Sequence, residues 1–280
     1  MFLPKNESLD WKIAKETLKT ESGILVETHK SIVRQDTGTV LSIMKKDYNP
    51  YQNDELLELL NKVGGSTGME VKNQGYFGNG EKVFIQLKSD NLTIGNDRVE
   101  GYLTGINSFD GSTTLAFGPS TITISCQNTF FASFKELSNK VRHTKNMHLK
   151  IEDFLRGIEM VKKEEEVLFD NIVKLSEARA LKENEEKVIR ILFKIDKNVD
   201  LGDVEQLSTV TNNRITAFKT DLLGEMKEKG DNLWGLFSGV TKYTTHTMNK
   251  GDYDRNVEAK MTSFYGDRER EIFNVLLNEI

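Results

Sequence analysis

The stretch from Val99 to Lys150 constrains this 280-residue chain more than any other. Two β-prone runs flank Phe109-Asp110-Gly111-Ser112. Asp-Gly between alternating runs is a strong hairpin signal, because glycine accepts the positive φ of a tight turn. After the turn, Ile122, Ile124 and Cys126 alternate with Thr121, Thr123 and Ser125. That period of two predicts a strand with one buried face and one hydroxyl-rich face. Gln127-Asn128 ends it, and Asn128 is placed to cap a following helix. The helix is expected to run out into Asn139 to Lys150, which holds Lys140, Arg142, His143, Lys145, His148 and Lys150 and no acid.

The rest of the chain is read around that hairpin. Ser31–Arg34 and Thr39–Ile43 look like short strands broken at Asp36-Thr37-Gly38. Lys45 to Asn53 is a loop in which Pro50 fixes φ. Asn53 or Asp54 is placed to cap a helix whose apolar face is Leu56, Leu57, Leu59, Leu60 and Val63, ended by Gly64-Gly65. A hairpin follows, with Val71 leading to Gly78-Asn79-Gly80 and with Val83, Ile85 and Leu87 on the return. Asn91 to Arg98 reads as a polar connection. Beyond Lys150 the spacing turns helical, through Phe193, over Leu201–Lys229 and over Glu258–Ile280. The expected fold is α+β. An antiparallel β-sheet built of hairpins with flanking helices occupies residues 1–150, and a mainly α-helical region, 151–280, packs on that core.

Charge and composition narrow the functions. The net charge is −5, so a site for a polyanion has to be a local patch. One cysteine excludes an internal disulfide framework and fits a reducing, cytoplasmic compartment. No apolar run approaches the roughly 20 residues of a membrane span, and MFLPKNESLDWK lacks the basic and apolar regions of a signal peptide. Cys126 as nucleophile with His143 as base is one reading, but an alternating strand face is where structural cysteines sit. His143 and His148, five residues apart, make a poor metal pair. Gly75 to Gly80 lacks the Lys-Ser/Thr that follows a phosphate-binding loop. Glu164-Glu165-Glu166 is simplest as a solvated helix face. No catalytic residues, metal or cofactor are expected.

Two features suit nucleic acid. One is the basic segment with Lys140, Arg142, His143, Lys145 and Lys150, to which Lys45 and Lys46 add; such cations neutralise phosphates and release counterions. The other is a set of rings in loops and turns, Tyr48, Tyr51, Tyr76, Phe77 and Phe109, placed to stack on unpaired bases. Asn107, Asp110, Gln127 and Asn128 are expected to shape the turn and the cap. From spacing alone, a solvated linker and hydrophobic plugs explain the same residues.

Several short motifs occur in a familiar order. Arg34-Gln35-Asp36-Thr37-Gly38 and Tyr48-Asn49-Pro50-Tyr51-Gln52-Asn53 open the series. Gly78-Asn79-Gly80 with Val83-Phe84, Asn107 to Ser112, Cys126-Gln127-Asn128-Thr129 and Arg142-His143-Thr144 follow. Trp234-Gly235, Val240-Thr241-Lys242-Tyr243 with His246, and Phe264-Tyr265-Gly266 close it. Over about residues 34–270 the chain resembles the phage/plasmid-like protein family, whose domain is of unknown function. Phe109 and Lys242 depart from that family's histidine and acid. The resemblance implies a phage or plasmid protein acting in the cytoplasm of a bacterial host. A helix, a curved sheet of hairpins and another helix also resemble, in element order, the Rad52-like single-strand annealing proteins, which are non-enzymatic and assemble into rings. The resulting expectation is a non-enzymatic single-stranded DNA-binding protein, a possible homo-oligomer, that assists annealing, recombination or replication. Lys45, Lys46, Lys140, Arg142, His143, Lys145 and Lys150 would meet phosphates, and Tyr48, Tyr51 and Phe109 would stack. The alternative is an interaction protein that binds and inhibits a host defence or regulatory protein.

Overall fold

The computed structural model describes residues 7–95, 97–123, 128–131, 140–143, 158–262 and 264–280. The architecture is α+β, with antiparallel sheets and a helical C-terminal half, as the hairpin signals and later helical spacing predict. The chain divides into two compact units. One takes residues up to Asp90, Tyr102–Pro119 and Ser133–Lys163. The other takes Asn91–Gly101, Ser120–Ala132 and Glu164–Ile280.

The first unit begins with β1 (Ile13–Lys19), β2 (Leu25–Arg34) and β3 (Thr39–Lys45), a three-stranded antiparallel sheet in that order. The β2–β3 hairpin turns at Asp36-Thr37-Gly38, where Gly38 has φ +68° and its N–H donates to the Arg34 carbonyl at 2.9 Å. Helix α1 (Asn53–Thr67) buries Leu56, Leu59, Leu60 and Val63, the 3–4 spacing of an amphipathic face. Its cap differs from the expectation. Gln52 holds the cap position, and its amide N–H donates to the Glu55 carboxylate at 2.7 Å. The Gln52 side chain is spent on β1, accepting from Ile13 N–H at 3.0 Å and donating to the Ile13 carbonyl at 3.1 Å. The helix also runs through Gly64-Gly65 and ends at Gly68, whose φ of +77° suits a left-handed stop. Gly64 is needed for another reason: a Cβ there would lie 2.5 Å from the Met69 carbonyl oxygen.

The second sheet orders β4 (Glu70–Phe77), β5 (Lys82–Ile94), β6 (Asp97–Ser108), β7 (Leu115–Thr123) and β8 (Thr129–Phe131), with β9 (Lys140–Val141) paired to β7. Val83, Ile85 and Leu87 join the first unit's core, but Phe84 and Gln86 between them are buried as well, so the strand is covered on both faces there. Asn91–Arg98 is not a loose connection: β5 and β6 extend through it, because Leu92, Ile94 and Val99 have a second core to pack against. The Asn128 helix cap is also corrected. Thr129–Phe131 pairs with Ser120–Ile122 as a strand, and Asn128 Nδ2 donates instead to the Ser238 carbonyl at 3.2 Å. Ile124, Cys126 and Gln127 lie outside the described residues.

The second unit is largely helical: α2 (Ile158–Glu177, of which it takes Glu164 onward), α3 (Lys182–Phe193), α4 (Thr209–Lys229), α5 (Leu233–Lys242), α6 (Tyr253–Thr262) and α7 (Phe264–Leu277). Its core runs from Val99 and Phe130 to Phe237 and Phe273, the Phe130 ring lying 4.9 Å from Phe237 and 5.0 Å from Phe273. Helix α5 is buried all round, and a Cβ on Gly239 would stand 2.8 Å from Leu222 Cα of α4, so the two helices touch backbone to backbone. A π-turn (Tyr243–Thr247) and a 3-10 turn (Met248–Gly251) link α5 to α6. No helix among the described residues is long and apolar enough to cross a membrane.

Candidate nucleic-acid interface

The basic and aromatic residues singled out by sequence part company in the structure. At the end of β3 the chain turns outward, leaving Lys45 and Lys46 exposed, and then folds back. Tyr48 is only 8% exposed and Tyr51 4%. The Tyr48 hydroxyl donates to the Ser108 carbonyl at 2.7 Å, and that of Tyr51 to the Glu55 carbonyl at 3.1 Å. Burial pushes both phenols above their usual range, with smaller help from the Asp110 charge for Tyr48 and the Glu55 charge for Tyr51. They therefore stay protonated donors. Phe109 is wholly buried, 5.8 Å from the Trp11 ring. These three rings form part of one core, so no face of theirs is offered to a base. The expectation of stacking at Tyr48, Tyr51 and Phe109 is corrected on that ground. Phe77 is buried too.

Tyr76 is covered by a cation from its own fold. The Arg34 guanidinium lies 4.3 Å from the Trp11 ring and 4.6 Å from the Tyr76 ring. Its Nε and Nη2 donate to Asp36 at 2.8 and 3.0 Å, and Nη1 donates to the Asn79 carbonyl at 2.9 Å. The Arg34–Gly38 motif thus ties one hairpin turn to another, a role for which a planar, forked cation is suited. Asp110 shapes the central turn as expected, whereas Asn107 ties its strand to the Tyr48–Asn53 loop. Asn107 Nδ2 donates to the Tyr51 carbonyl at 2.8 Å, and Asp110 Oδ1 accepts from the Ser112 amide at 2.9 Å.

What remains is a set of cations gathered by packing. The short β9 brings residues 140–143 to the first unit, Lys140 opposite Ala116. The His143 ring then lies 5.2 Å from Tyr48. Arg142, the residue before His143, is exposed, as are Lys45 and Lys46 just before Tyr48. Lys15, also exposed, donates from Nζ to the Lys46 and Tyr48 carbonyls at 2.8 and 2.7 Å and fixes that loop. Exposed Asp47 is the acid within it. His143 itself adds no charge. Burial lowers its pKa to about 4, only partly opposed by the Asn49 backbone, so the ring is neutral at pH 7. Lys145, His148 and Lys150 lie outside the described residues.

Sequence reading missed the densest polar cluster of the second unit. Lys260 is completely buried, with Nζ 3.0 Å from Glu269 Oε1 and donating to Thr245 Oγ1 at 2.6 Å and to the Thr129 carbonyl. Thr244 donates to the same carboxylate. Burial pushes Glu269 up, while Lys260 and Thr244 work against it. A second group joins Glu225 to Lys229 at 2.7 Å and to Lys242 at 3.2 Å, with Asp97 3.5 Å from Lys229. The i, i+4 spacing of Glu225 and Lys229 was the available signal, but it is also the commonest pattern of a solvated helix face.

No curated protein and no solved structure matches this chain. A family model described as Domain of unknown function (DUF932) matches residues 40–267. The second sheet and most of the helices fall inside that span, β1 and β2 precede it, and the chain belongs to this family.

Proposed function

We propose that the chain is a non-enzymatic single-stranded DNA-binding protein of a phage or plasmid, assisting annealing, recombination or replication. The observation that carries this reading is the Tyr48–His143 contact, which joins the segment carrying exposed Arg142 to the loop carrying exposed Lys45 and Lys46, a loop that Lys15 also binds. With the rings buried, the patch meets phosphates rather than base faces, so binding is independent of sequence. The motif order shared with the phage/plasmid-like family supports the mobile-element setting and a bacterial cytoplasm. The element order shared with Rad52-like proteins supports preference for a single strand and self-assembly.

The test is fluorescence anisotropy of labelled single-stranded and duplex DNA over a salt series, with the wild type and a Lys45→Ala, Lys46→Ala, Arg142→Ala triple variant. Each lost phosphate contact removes about 0.7 from the slope of log affinity against log salt on a single strand. Three contacts therefore flatten it by about 2. Equal affinity of wild type and variant, or no binding at low salt, refutes the reading.

A second reading is a protein partner. Val40 and Ile43 on β3, an edge strand, are 56% and 58% exposed, and an unpaired apolar edge invites another chain. A host protein that co-purifies stoichiometrically without DNA, and is lost on Ile43→Asp, would favour inhibition of a host factor.

A further inference from the structure

The second unit holds a cavity of about 710 Å³ that the proposed DNA interface does not use. Its wall comes from separate parts of the sequence: Asn213 and Arg214 of α4, Tyr243 of the π-turn, Lys250, Arg255 of α6 and Tyr265 of α7. Three cations converge there, and among the described residues the lining contains no carboxylate, in a chain whose net charge is −5. Two acids nearby have partners of their own. Asp221 accepts from the Thr247 side chain and faces the charges of Lys242 and His246. Asp252 accepts from the Arg255 amide at 3.1 Å.

The backbone that presents Lys250 is strained. Asn249 (φ 51°), Lys250 (φ 61°) and Gly251 (φ 78°) are three consecutive left-handed residues, and the first two carry a Cβ. Such strain persists only where its surroundings over-determine it, and it gathers at ligand sites. Here the surroundings are Asn256. It is fully buried, donates from Nδ2 to the Thr245 and Met248 carbonyls at 3.1 and 2.7 Å, and accepts from Asn249 Nδ2 at 3.0 Å. Lys250, which this arrangement holds out, is exposed and contributes nothing to the core. Tyr243 adds a neutral donor. Its ring is buried and its phenol is pushed up to about 12 by burial, with the Arg214 charge acting against that.

We propose that this cavity binds a phosphate monoester, with Arg214, Lys250 and Arg255 taking the phosphoryl oxygens and the Tyr243 hydroxyl donating to one of them. Guanidinium forks match phosphate geometry, and the volume is that of a site for a small ligand such as a nucleoside monophosphate. A free nucleotide and the 5′-phosphorylated end of a strand present the same chemistry. The site shares no residue with the patch at Lys45, Lys46 and Arg142, so either reading can fail without the other.

The test is isothermal titration calorimetry of the full chain with a deoxynucleoside monophosphate, the matching unphosphorylated nucleoside, and a short oligonucleotide with and without its 5′-phosphate. Saturable binding of the monophosphate but not the nucleoside is expected. Arg214→Ala and Arg255→Ala should each weaken it about tenfold or more, the usual worth of a charge-assisted hydrogen bond. Lys250→Gly removes the cation while easing the backbone, so affinity should fall with no loss of thermal stability. The Lys45, Lys46, Arg142 triple variant should bind the monophosphate as the wild type does. Binding of the oligonucleotide only when it carries the 5′-phosphate supports the site and assigns the ester to a strand end. The proposal is overturned if no phosphorylated probe binds at millimolar concentration, or if the Arg214→Ala, Arg255→Ala double variant binds as the wild type does.

Discussion

The Lys260–Glu269 pair makes a prediction whose sign reverses with the partner removed. Both side chains are essentially without solvent contact, at 0% and 1% exposure. Lys260→Met leaves a buried carboxyl, which escapes by taking a proton. From the ordinary value of 4.5 to pH 7, that escape is bounded at about 3.4 kcal/mol. At about pH 5 the bound falls to about 0.7 kcal/mol, so this variant's penalty should shrink in acid. Glu269→Gln leaves a buried ammonium, which escapes by losing a proton. From about 10.4 the bound is about 4.6 kcal/mol at pH 7 and about 1.9 kcal/mol at about pH 9, so this penalty should shrink in base. Retained hydrogen bonds from Nζ to Thr245 and Thr129 keep the measured value below that bound. The assay is urea unfolding of wild type and both variants across this pH range, each compared with the wild type at the same pH. Losses of about 2–4 kcal/mol at neutral pH with opposite pH slopes are expected. Parallel slopes, or losses under about 1 kcal/mol as for a solvated pair, would refute the buried-pair account.

Other consequences can be checked with the same protein. His143 is depressed from 6.5 to about 4 by burial, so the folded state binds fewer protons than the unfolded one. Its contribution is full above about pH 6.5 and is lost as pH falls towards 4, at most about 3 kcal/mol; His143→Gln should remove that part of the acid sensitivity in urea midpoints. For the same reason DNA binding should hold constant between about pH 6 and 8, which anisotropy at fixed salt will show. Gly239→Ala should cost about 1–3 kcal/mol by thermal unfolding, since the added methyl meets Leu222 Cα at 2.8 Å. Tyr48→Phe should cost about 1–2 kcal/mol by leaving the Ser108 carbonyl without its hydroxyl donor, while leaving DNA affinity unchanged.

Hairpins were legible because their signal is local. Asp36-Thr37-Gly38 and Gly78-Asn79-Gly80 each combine turn chemistry with alternation on both sides, and each forms a turn between paired strands. The missed strands lacked that. Ile-Ala-Lys-Glu-Thr-Leu-Lys of β1 contains good helix formers, and it is a strand because Ile13 pairs with Arg34 and Ala14 with Val33. Thr129–Phe131 follows a residue suited to capping a helix, yet Ser120–Ile122 offers it a ladder. The candidate interface was half legible. Exposed Lys45, Lys46 and Arg142 follow from charge. Nothing in the loop reveals that Tyr48 reaches a carbonyl sixty residues away or that Phe109 meets Trp11.

The buried ion pair shows why the second unit's chemistry escaped notice. Read as one helix from Glu258 onward, positions 260 and 269 are nine residues apart, two and a half turns, and face opposite ways. On such a helix Lys260 and Glu269 cannot meet. In the structure Lys260 belongs to α6 and Glu269 to α7, and the packing of the two helices brings the charges to 3.0 Å. Gly266, in the first turn of α7, permits that packing, since its Cβ position is already occupied by the Lys260 carbonyl. The ion pair is therefore a product of packing between α6 and α7, which no single helical periodicity predicts. Any change that disturbs that packing, such as Gly266→Ala, should carry both the packing loss and the cost of two separated charges. Its destabilisation should exceed that of Gly239→Ala by the amount the Lys260 and Glu269 variants reveal separately.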